Sequence, residues 1–232
     1  MAHIFNIDFD CAIFDMDGTL LDSMPMWHTA SDRYLLSKGK TPEKGLWDKV
    51  KWLNMNETVD YLIKTYGLDK DAKTVQEEIN SQIIEEYEHN LQPKEGAEKL
   101  LRTLNEKNVS CVLATATDRR CTLACMKRLG LEKYFAAVIT CLDLNTSKSK
   151  PLIFEKAAEL GKSDIAHSIV FEDALHALRT AHNAGFKTVA VYDPSDEEKT
   201  EPPETDWQRI IKFADANVRS LNEITRELVN FS

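Results

Sequence analysis

Five short apolar runs constrain the chain more than any other feature. They fall at residues 11–14 (C-A-I-F), 111–114 (C-V-L-A), 136–139 (A-A-V-I), 168–171 (S-I-V-F) and 188–192 (T-V-A-V-Y). Between the last four lie segments with helical spacing, at 119–129, 151–160 and 174–184. Such alternation predicts a parallel sheet, because neighbouring parallel strands must be joined by a crossover that is usually a helix. Gly130, Gly161 and Gly185 stand where these helices would end, as helix C-terminal glycines do. The first run stands apart, since residues 15–110 contain no second run. That long interval reads instead as helices at 31–37, 43–53, 56–66 and 73–89, punctuated by Gly39, Gly45 and Gly67. The expected fold is α/β, a Rossmann-like parallel sheet core with an inserted helical domain. Residues 1–22 and 92–232 would form the core and 23–91 the insert, with hinges near 23–27 and near 91–96, where Pro93 lies.

With 43% apolar and 29% charged residues, the composition is that of an ordinary globular chain rather than a disordered one. A net charge of −9 with no basic stripe argues against nucleic acid or an anionic membrane as partner. The N-terminus, M-A-H-I-F-N-I-D-F-D, has neither the basic start nor the apolar stretch of a signal peptide. No apolar run approaches the ~18 residues of a membrane span. Five cysteines, an odd count, form no framework spacing, so reduced thiols and a cytoplasmic location are expected; a monomer is also expected. Cys121 and Cys125, one turn apart without a nearby His or Cys pair to complete a metal site, read as a buried helix face. The acidic, proline-containing stretch 193–205 reads as a solvated surface loop.

The chemistry gathers where the runs end. Run one ends in Asp15 and Asp17, run two in Thr115 within A-T-A-T-D, and run four in Glu172 and Asp173. Just past run three, N-T-S-K-S-K-P-L-I-F carries Lys148 and Lys150. In an open parallel sheet, ligands bind at the carboxyl ends of the strands. Four carboxylates, a hydroxyl and a lysine would therefore meet at one edge. Carboxylates so close repel unless a cation offsets them, and a cluster of hard oxygen donors suits Mg²⁺. An EF-hand is excluded, because the loop starting at Asp15 has its glycine (Gly18) fourth and Met26 at position twelve.

Taken together, D-M-D-G-T-L-L-D-S, Thr115, Lys148 with P-L-I-F, and E-D-A-L-H-A-L resemble the haloacid dehalogenase (HAD) superfamily. The position of the helical insert resembles the subgroup with a helical cap between the first and second motifs, which includes β-phosphoglucomutase and many sugar-phosphate phosphatases. The resemblance runs from residue 11 to the loop after Tyr192. It implies that Asp15 is a nucleophile that forms an aspartyl-phosphate and also binds Mg²⁺. It implies that Asp17 is the general acid/base, with its backbone carbonyl on the metal. Thr115 would hydrogen-bond the phosphoryl group; Asp173 would ligate the metal directly, with Glu172 as a second ligand. Backbone N–H groups at residues 16–19, including Gly18 and Thr19, and at Ala116 would face phosphate oxygens. Thr117 would touch substrate, and Asp118 would either do so or cap the next helix. The family's lysine is best matched by Lys148, three residues before Pro151 and six before Phe154, although Lys150 directly precedes the proline.

Other residues read more simply. Asp22, with Ser23 beside it, reads as a helix N-cap, and His176 and His28 as ordinary histidines. Trp27, Trp47, Trp52 and Met55 read first as core of the insert and second as a pocket lining. Dehalogenation does not require Asp17, which is present. The mutases that the chain resembles carry a histidine twelve residues after the nucleophile, where this chain has Trp27 with His28 one later. They also carry a cap arginine where the nearest stretch here offers Asn54 and Asn56. The expected function is a Mg²⁺-dependent phosphatase of small phosphorylated metabolites, sugar phosphates foremost. A phosphosugar mutase is the alternative. A non-catalytic metal-binding protein is disfavoured, because it would be expected to have lost Asp15 or Asp17.

Overall fold

In the computed structural model, which describes residues 1–51, 53–197 and 203–230, the first apolar run forms strand β3 (Cys11–Phe14), buried at all four positions. Before it, β1 (Ala2–Ile4) and β2 (Ile7–Phe9) form a separate antiparallel hairpin. The chain then builds β4 (Ser110–Thr115), β5 (Ala137–Thr140), β6 (Ser168–Glu172), β7 (Lys187–Val191) and β8 (Ala216–Val218). These join β3 in a six-stranded sheet of order β5-β4-β3-β6-β7-β8, with every neighbouring pair parallel. The expected Rossmann-like α/β core is therefore present.

Buried apolar strands at the centre explain the order. A strand such as β6, buried at all five positions, must be covered on both faces. Phe14 and Phe171 stack across β3 and β6 with ring centroids 4.5 Å apart. The register aligns Phe14 with both Leu113 and Phe171, so three strands reach their carboxyl ends at one level. The chain winds outward from β3 to β5 and then returns to β6 on the other side of β3. That reversal is where such sheets open a crevice.

The helices of this unit are α5 (Ala97–Glu106), α6 (Arg119–Arg128), α7 (Leu152–Leu160), α8 (Leu175–Asn183), α9 (Asp206–Ile210) and α10 (Leu221–Asn230). Ile153, Phe154 and Ala157 of α7 and Ala177 of α8 share one core cluster with Ile13, Val112 and Val170 of the strands. Helix α5 buries Leu100, Leu101 and Leu104 on one face, each contributing about 1.5–3 kcal/mol by burial.

The chain folds as two compact units, Met1–Asp22 with Gln92–Ser232, and Ser23–Leu91. Among the described residues, the elements of the second are all helical: α1 (Met24–Ser37), α2 (Leu46–Val50), α3 (Met55–Tyr66), α4 (Ala72–Glu85) and a π-helical turn, Glu86–Asn90. Helix α3 starts with a capping box, in which Asn54 accepts from the Glu57 N–H and the Glu57 carboxylate accepts from the Asn54 N–H. Asp71 caps α4 through the Thr74 N–H. Buried Tyr34 donates its hydroxyl to Glu78 at 2.8 Å. Lys70, Tyr34 and Lys38 together hold the Glu78 carboxyl down at about 2.

Two sequence expectations need correction. The 193–205 stretch is not simply solvated: Asp193 is buried, and Thr205 makes a capping box with Gln208 at the start of α9. Within that stretch, residues 198–202 lie outside the described residues, as does Trp52. The N-cap of α1 is Ser23, without a side-chain capping bond, so Asp22 is not that helix's cap. Cys121 and Cys125 are buried on α6, as expected. Among the described residues, no helix is long and apolar enough to cross a membrane.

Candidate active site

Strand β3 delivers Asp15 to the carboxyl edge, where its N–H donates to the Phe171 carbonyl at 3.0 Å. The chain then turns sharply. The Met16 carbonyl accepts the N–H groups of Leu20 and Leu21 at 2.9 and 2.8 Å, and the Gly18 N–H donates to the Leu21 carbonyl at 3.1 Å. Gly18 has φ +79°, and a Cβ there would meet Asp173 Oδ2 at 2.2 Å. The glycine in D-M-D-G-T is thus demanded twice, by backbone handedness and by the approach of a carboxylate. The next residue, Thr19, is fully buried and donates its hydroxyl to Asp173 Oδ1 at 2.8 Å.

Strand β6 supplies Glu172, and Asp173 follows it directly; they are 1% and 6% exposed. Their carboxylates and that of Asp15 each offer an oxygen within 4.8 Å of the others. Lys148 reaches in from the loop after β5. Its ammonium is bonded to Asp15 Oδ1 and donates to Glu172 Oε2 at 2.9 Å. Lys148 is 5% exposed, whereas Lys150 is exposed, so of the two candidates only Lys148 enters the cluster.

The electrostatics follow from burial. Desolvation pushes the Glu172 carboxyl well up, and the Asp15 charge adds to this, while Lys148 works against it. Desolvation alone would lower Lys148, but the charges of Asp15 and Glu172 outweigh it and hold the ammonium protonated. Ionised together, three carboxylates against one ammonium would leave an excess of negative charge in a buried site. A divalent cation on hard oxygen donors would balance it. Asp15, Glu172 and Asp173 are the residues that could hold such an ion.

Asp17 is outside this trio. Its carboxylate accepts the Thr117 hydroxyl at 2.6 Å. Thr115 is buried at the end of β4, and its hydroxyl oxygen accepts the Thr117 N–H at 3.0 Å. Ala116 is exposed between them. Asp118 takes the capping role, accepting the Arg120 N–H at 2.8 Å at the start of α6. Behind that helix start, Arg119 forks onto Asp143 at 3.1 and 2.7 Å. Asp143 in turn accepts the Thr140 N–H at the end of β5. The guanidinium holds the Asp143 carboxyl down at about 2, so the loop leading to Lys148 starts from a fixed point. His176 is exposed one turn beyond Asp173.

Chemically, the edge offers a buried carboxylate (Asp15) gripped by an ammonium, two further carboxylates (Glu172 and Asp173) that could hold a metal with it, and a separate carboxylate (Asp17) held by a hydroxyl. That set could carry attack on a phosphoryl group by one carboxylate, with a second carboxylate two residues on to move a proton. Sequence reasoning did not find two contacts: Thr19 orients Asp173, and Thr117 orients Asp17. Both link residues far apart in the chain, and no local pattern marks them.

Comparison with known proteins places the same residues in a family context. A family model described as haloacid dehalogenase-like hydrolase matches residues 12–191. The phosphorylated carbohydrates phosphatase of Thermotoga maritima is 25% identical over 180 residues, covering 78% of this chain and 83% of that protein. The phosphoglycolate phosphatase of Rhodobacter capsulatus is 28% identical over 183 residues, covering 76% and 81%. Among solved structures, β-phosphoglucomutase from Clostridium difficile superposes with a TM-score of 0.69 at 19% identity, covering 96% of this chain and 98% of that one. At that identity the likeness concerns the fold alone.

Proposed function

The chain belongs to the haloacid dehalogenase-like hydrolases and is a phosphoric monoester hydrolase; from that premise we propose that it hydrolyses small phosphorylated metabolites, sugar phosphates foremost, with Mg²⁺ and through an aspartyl-phosphate on Asp15. The observation that carries this reading is the buried contact of Lys148 with both Asp15 and Glu172, beside Asp173.

Mg²⁺, bound by Asp15, Glu172, Asp173 and the Asp17 carbonyl, would shield the phosphoryl charge from the attacking carboxylate. Asp15 Oδ attacks phosphorus, and the bond from phosphorus to the leaving oxygen breaks. Asp17 gives its proton to that oxygen, so the alcohol departs neutral. Asp17, now ionised, takes a proton from water as the water attacks the aspartyl-phosphate; phosphate leaves and Asp15 is restored. Lys148 and Thr115 hold the phosphoryl oxygens, and backbone N–H groups at Gly18, Thr19 and Ala116 add fixed dipoles. Thr117 keeps the Asp17 carboxylate aimed. Phosphoryl transfer asks for positioning and charge stabilisation more than for new covalent chemistry, and this set supplies both. We assign residues 23–91 the role of a cap that selects the leaving group.

The mutase reading is weaker for a stated reason. Trp27, at the position where the mutases that the chain resembles carry histidine, donates its indole N–H to the Tyr87 hydroxyl at 3.1 Å. Asn54, near the expected arginine, is used as the α3 cap. Neither offers a cation or a base to a second sugar hydroxyl.

The test is a free-phosphate assay over sugar phosphates, nucleotides and phosphoglycolate, with Mg²⁺, with Ca²⁺ and with excess chelator. A coupled assay for glucose 6-phosphate from β-glucose 1-phosphate, with a bisphosphate primer, runs beside it. Phosphate release only with Mg²⁺, inhibited by Ca²⁺ and far faster than isomerisation, is expected. The looser coordination of Ca²⁺ would misplace the phosphate. Full activity in chelator, or rapid isomerisation with little phosphate released, would contradict the reading.

A further inference from the structure

Lys94 lies just past the point where the chain re-enters the α/β unit, and its contacts reach in two directions. Its backbone N–H donates to the Leu20 carbonyl at 2.8 Å. Next to it, Pro93 bridges Leu21, and the Gln92 carbonyl accepts the Asp22 N–H at 3.0 Å. Its side chain points the other way. The ammonium donates to the Tyr192 carbonyl at 2.9 Å and pairs with Asp193 Oδ2 at 2.8 Å, at the carboxyl end of β7. The Lys94 and Asp193 side chains are only 14% and 2% exposed. Asp193 Oδ1 also accepts the N–H and hydroxyl of Ser195.

Residues 20–22, which Gln92–Lys94 grip, close the turn that carries Asp17. That turn has no helix or strand to stiffen it. It is held at one end by the Met16 carbonyl and at the other by the Asp17–Leu21 bridge and the 92–94 segment. The Lys94 side chain therefore ties the outer wall of the turn to the sheet two strands away from β3. Burying a charge pair carries a desolvation cost for each ion, so a buried pair is weak evidence for stability and better evidence for a required geometry. Proton transfer needs heavy atoms within roughly 2.6–3.2 Å, a tolerance that a loose turn would not keep.

We propose that the Lys94–Asp193 ion pair is a positioning device for Asp17, fixing the 17–22 turn so that the acid meets the leaving oxygen. The proposal rests on the reading of Asp17 as general acid. Lys94 touches no reacting atom, and its effect passes through the Leu20–Asp22 backbone.

A positioning role has a signature that general destabilisation lacks. The ratio kcat/KM reports steps up to phosphoryl transfer onto Asp15. An alkyl phosphate such as glycerol phosphate needs a proton on its departing alkoxide in that step, whereas p-nitrophenyl phosphate releases a stable phenolate that does not. The experiment measures kcat/KM for both substrates, with saturating Mg²⁺, in wild type, Asp17→Asn, Lys94→Met, Lys94→Arg and the neutral pair Lys94→Met/Asp193→Asn. The neutral pair leaves no uncompensated buried charge and carries the test if Lys94→Met alone does not fold. The expected result is a loss on the alkyl phosphate at least ~10-fold greater than on the aryl phosphate, in the same direction as Asp17→Asn. Lys94→Arg should recover most of it. Equal losses on both substrates, or no loss, with Asp17→Asn still discriminating between them, would overturn the positioning role alone. If Asp17→Asn itself fails to discriminate, the acid assignment falls and the proposal falls with it.

Discussion

Thr117 donates its hydroxyl to Asp17 at 2.6 Å, and a hydrogen bond to a charged group is worth about 1.5–3 kcal/mol. Replacing Thr117 by Val keeps the shape and removes the donor, so kcat should fall by roughly 10- to 100-fold with little change in thermal midpoint. Retention of wild-type kcat would mean that Asp17 needs no such aim. The thiols make a second prediction at this scale. All five cysteines are buried, and burial pushes Cys11 and Cys125 up to about 11 and Cys111 up to about 12. Since the thiolate is the reactive form, the native protein should be inert to Ellman's reagent at neutral pH and yield all five thiols in denaturant. Fast labelling of the folded chain would contradict the burial. Residue-level legibility in the sequence was uneven. The gathering of Asp15, Lys148, Glu172 and Asp173 could be read because each follows an apolar run and strand ends share one edge. The Thr19–Asp173 and Thr117–Asp17 contacts could not, because each spans most of a domain and depends on register.

Elements carry their own signals, and the structure sorts strong from weak. The α3 helix (Met55–Tyr66) was legible almost to its ends from apolar spacing and Gly67, whereas the Asn54 cap emerges only in the structure. Asn54→Ala should therefore cost about 0.5–2 kcal/mol, read as an earlier denaturant transition of the full chain; no shift would deny the capping box its weight. Leu104→Ala, on the buried face of α5, should cost more, about 2–5 kcal/mol. For helix α1 the spacing predicts only 31–37, whereas the helix starts at Met24. Pro25 falls in the expected hinge, yet proline in a first turn fits the start of a helix. Spacing also predicts one helix over 73–89, but the segment changes to a π-turn at Glu86–Asn90, which periodicity does not reveal. Strand β8 and the β1–β2 hairpin are three residues per strand, too short for alternation to register. The hairpin turn also relies on positive φ at Phe5 and Asn6, and only the asparagine hints at it.

At the scale of the whole molecule, parallel strands of matched register bring the residues after β3, β4 and β6 to one level, and the family match spans most of that unit. A chain of net charge −9 attracts no phosphate by its overall field. On the proposed reading, the charge that receives an anionic substrate comes from Lys148, backbone dipoles and a cation held by Asp15, Glu172 and Asp173. In that reading, Asp15 attacks a phosphoryl group only with those charges beside it. The substrate itself was not legible, because no spacing rule in the sequence reports selectivity toward a leaving group. The most direct test is an acid quench of the full chain during turnover with Mg²⁺ and a good substrate, followed by peptide mapping. The account predicts one phosphoryl group on Asp15, absent in chelator and absent in Asp15→Asn, whose phosphate release should also vanish while its fold persists. Steady phosphate release with no phosphoryl-enzyme, or with Asp15→Asn turning over at the wild-type rate, would contradict it.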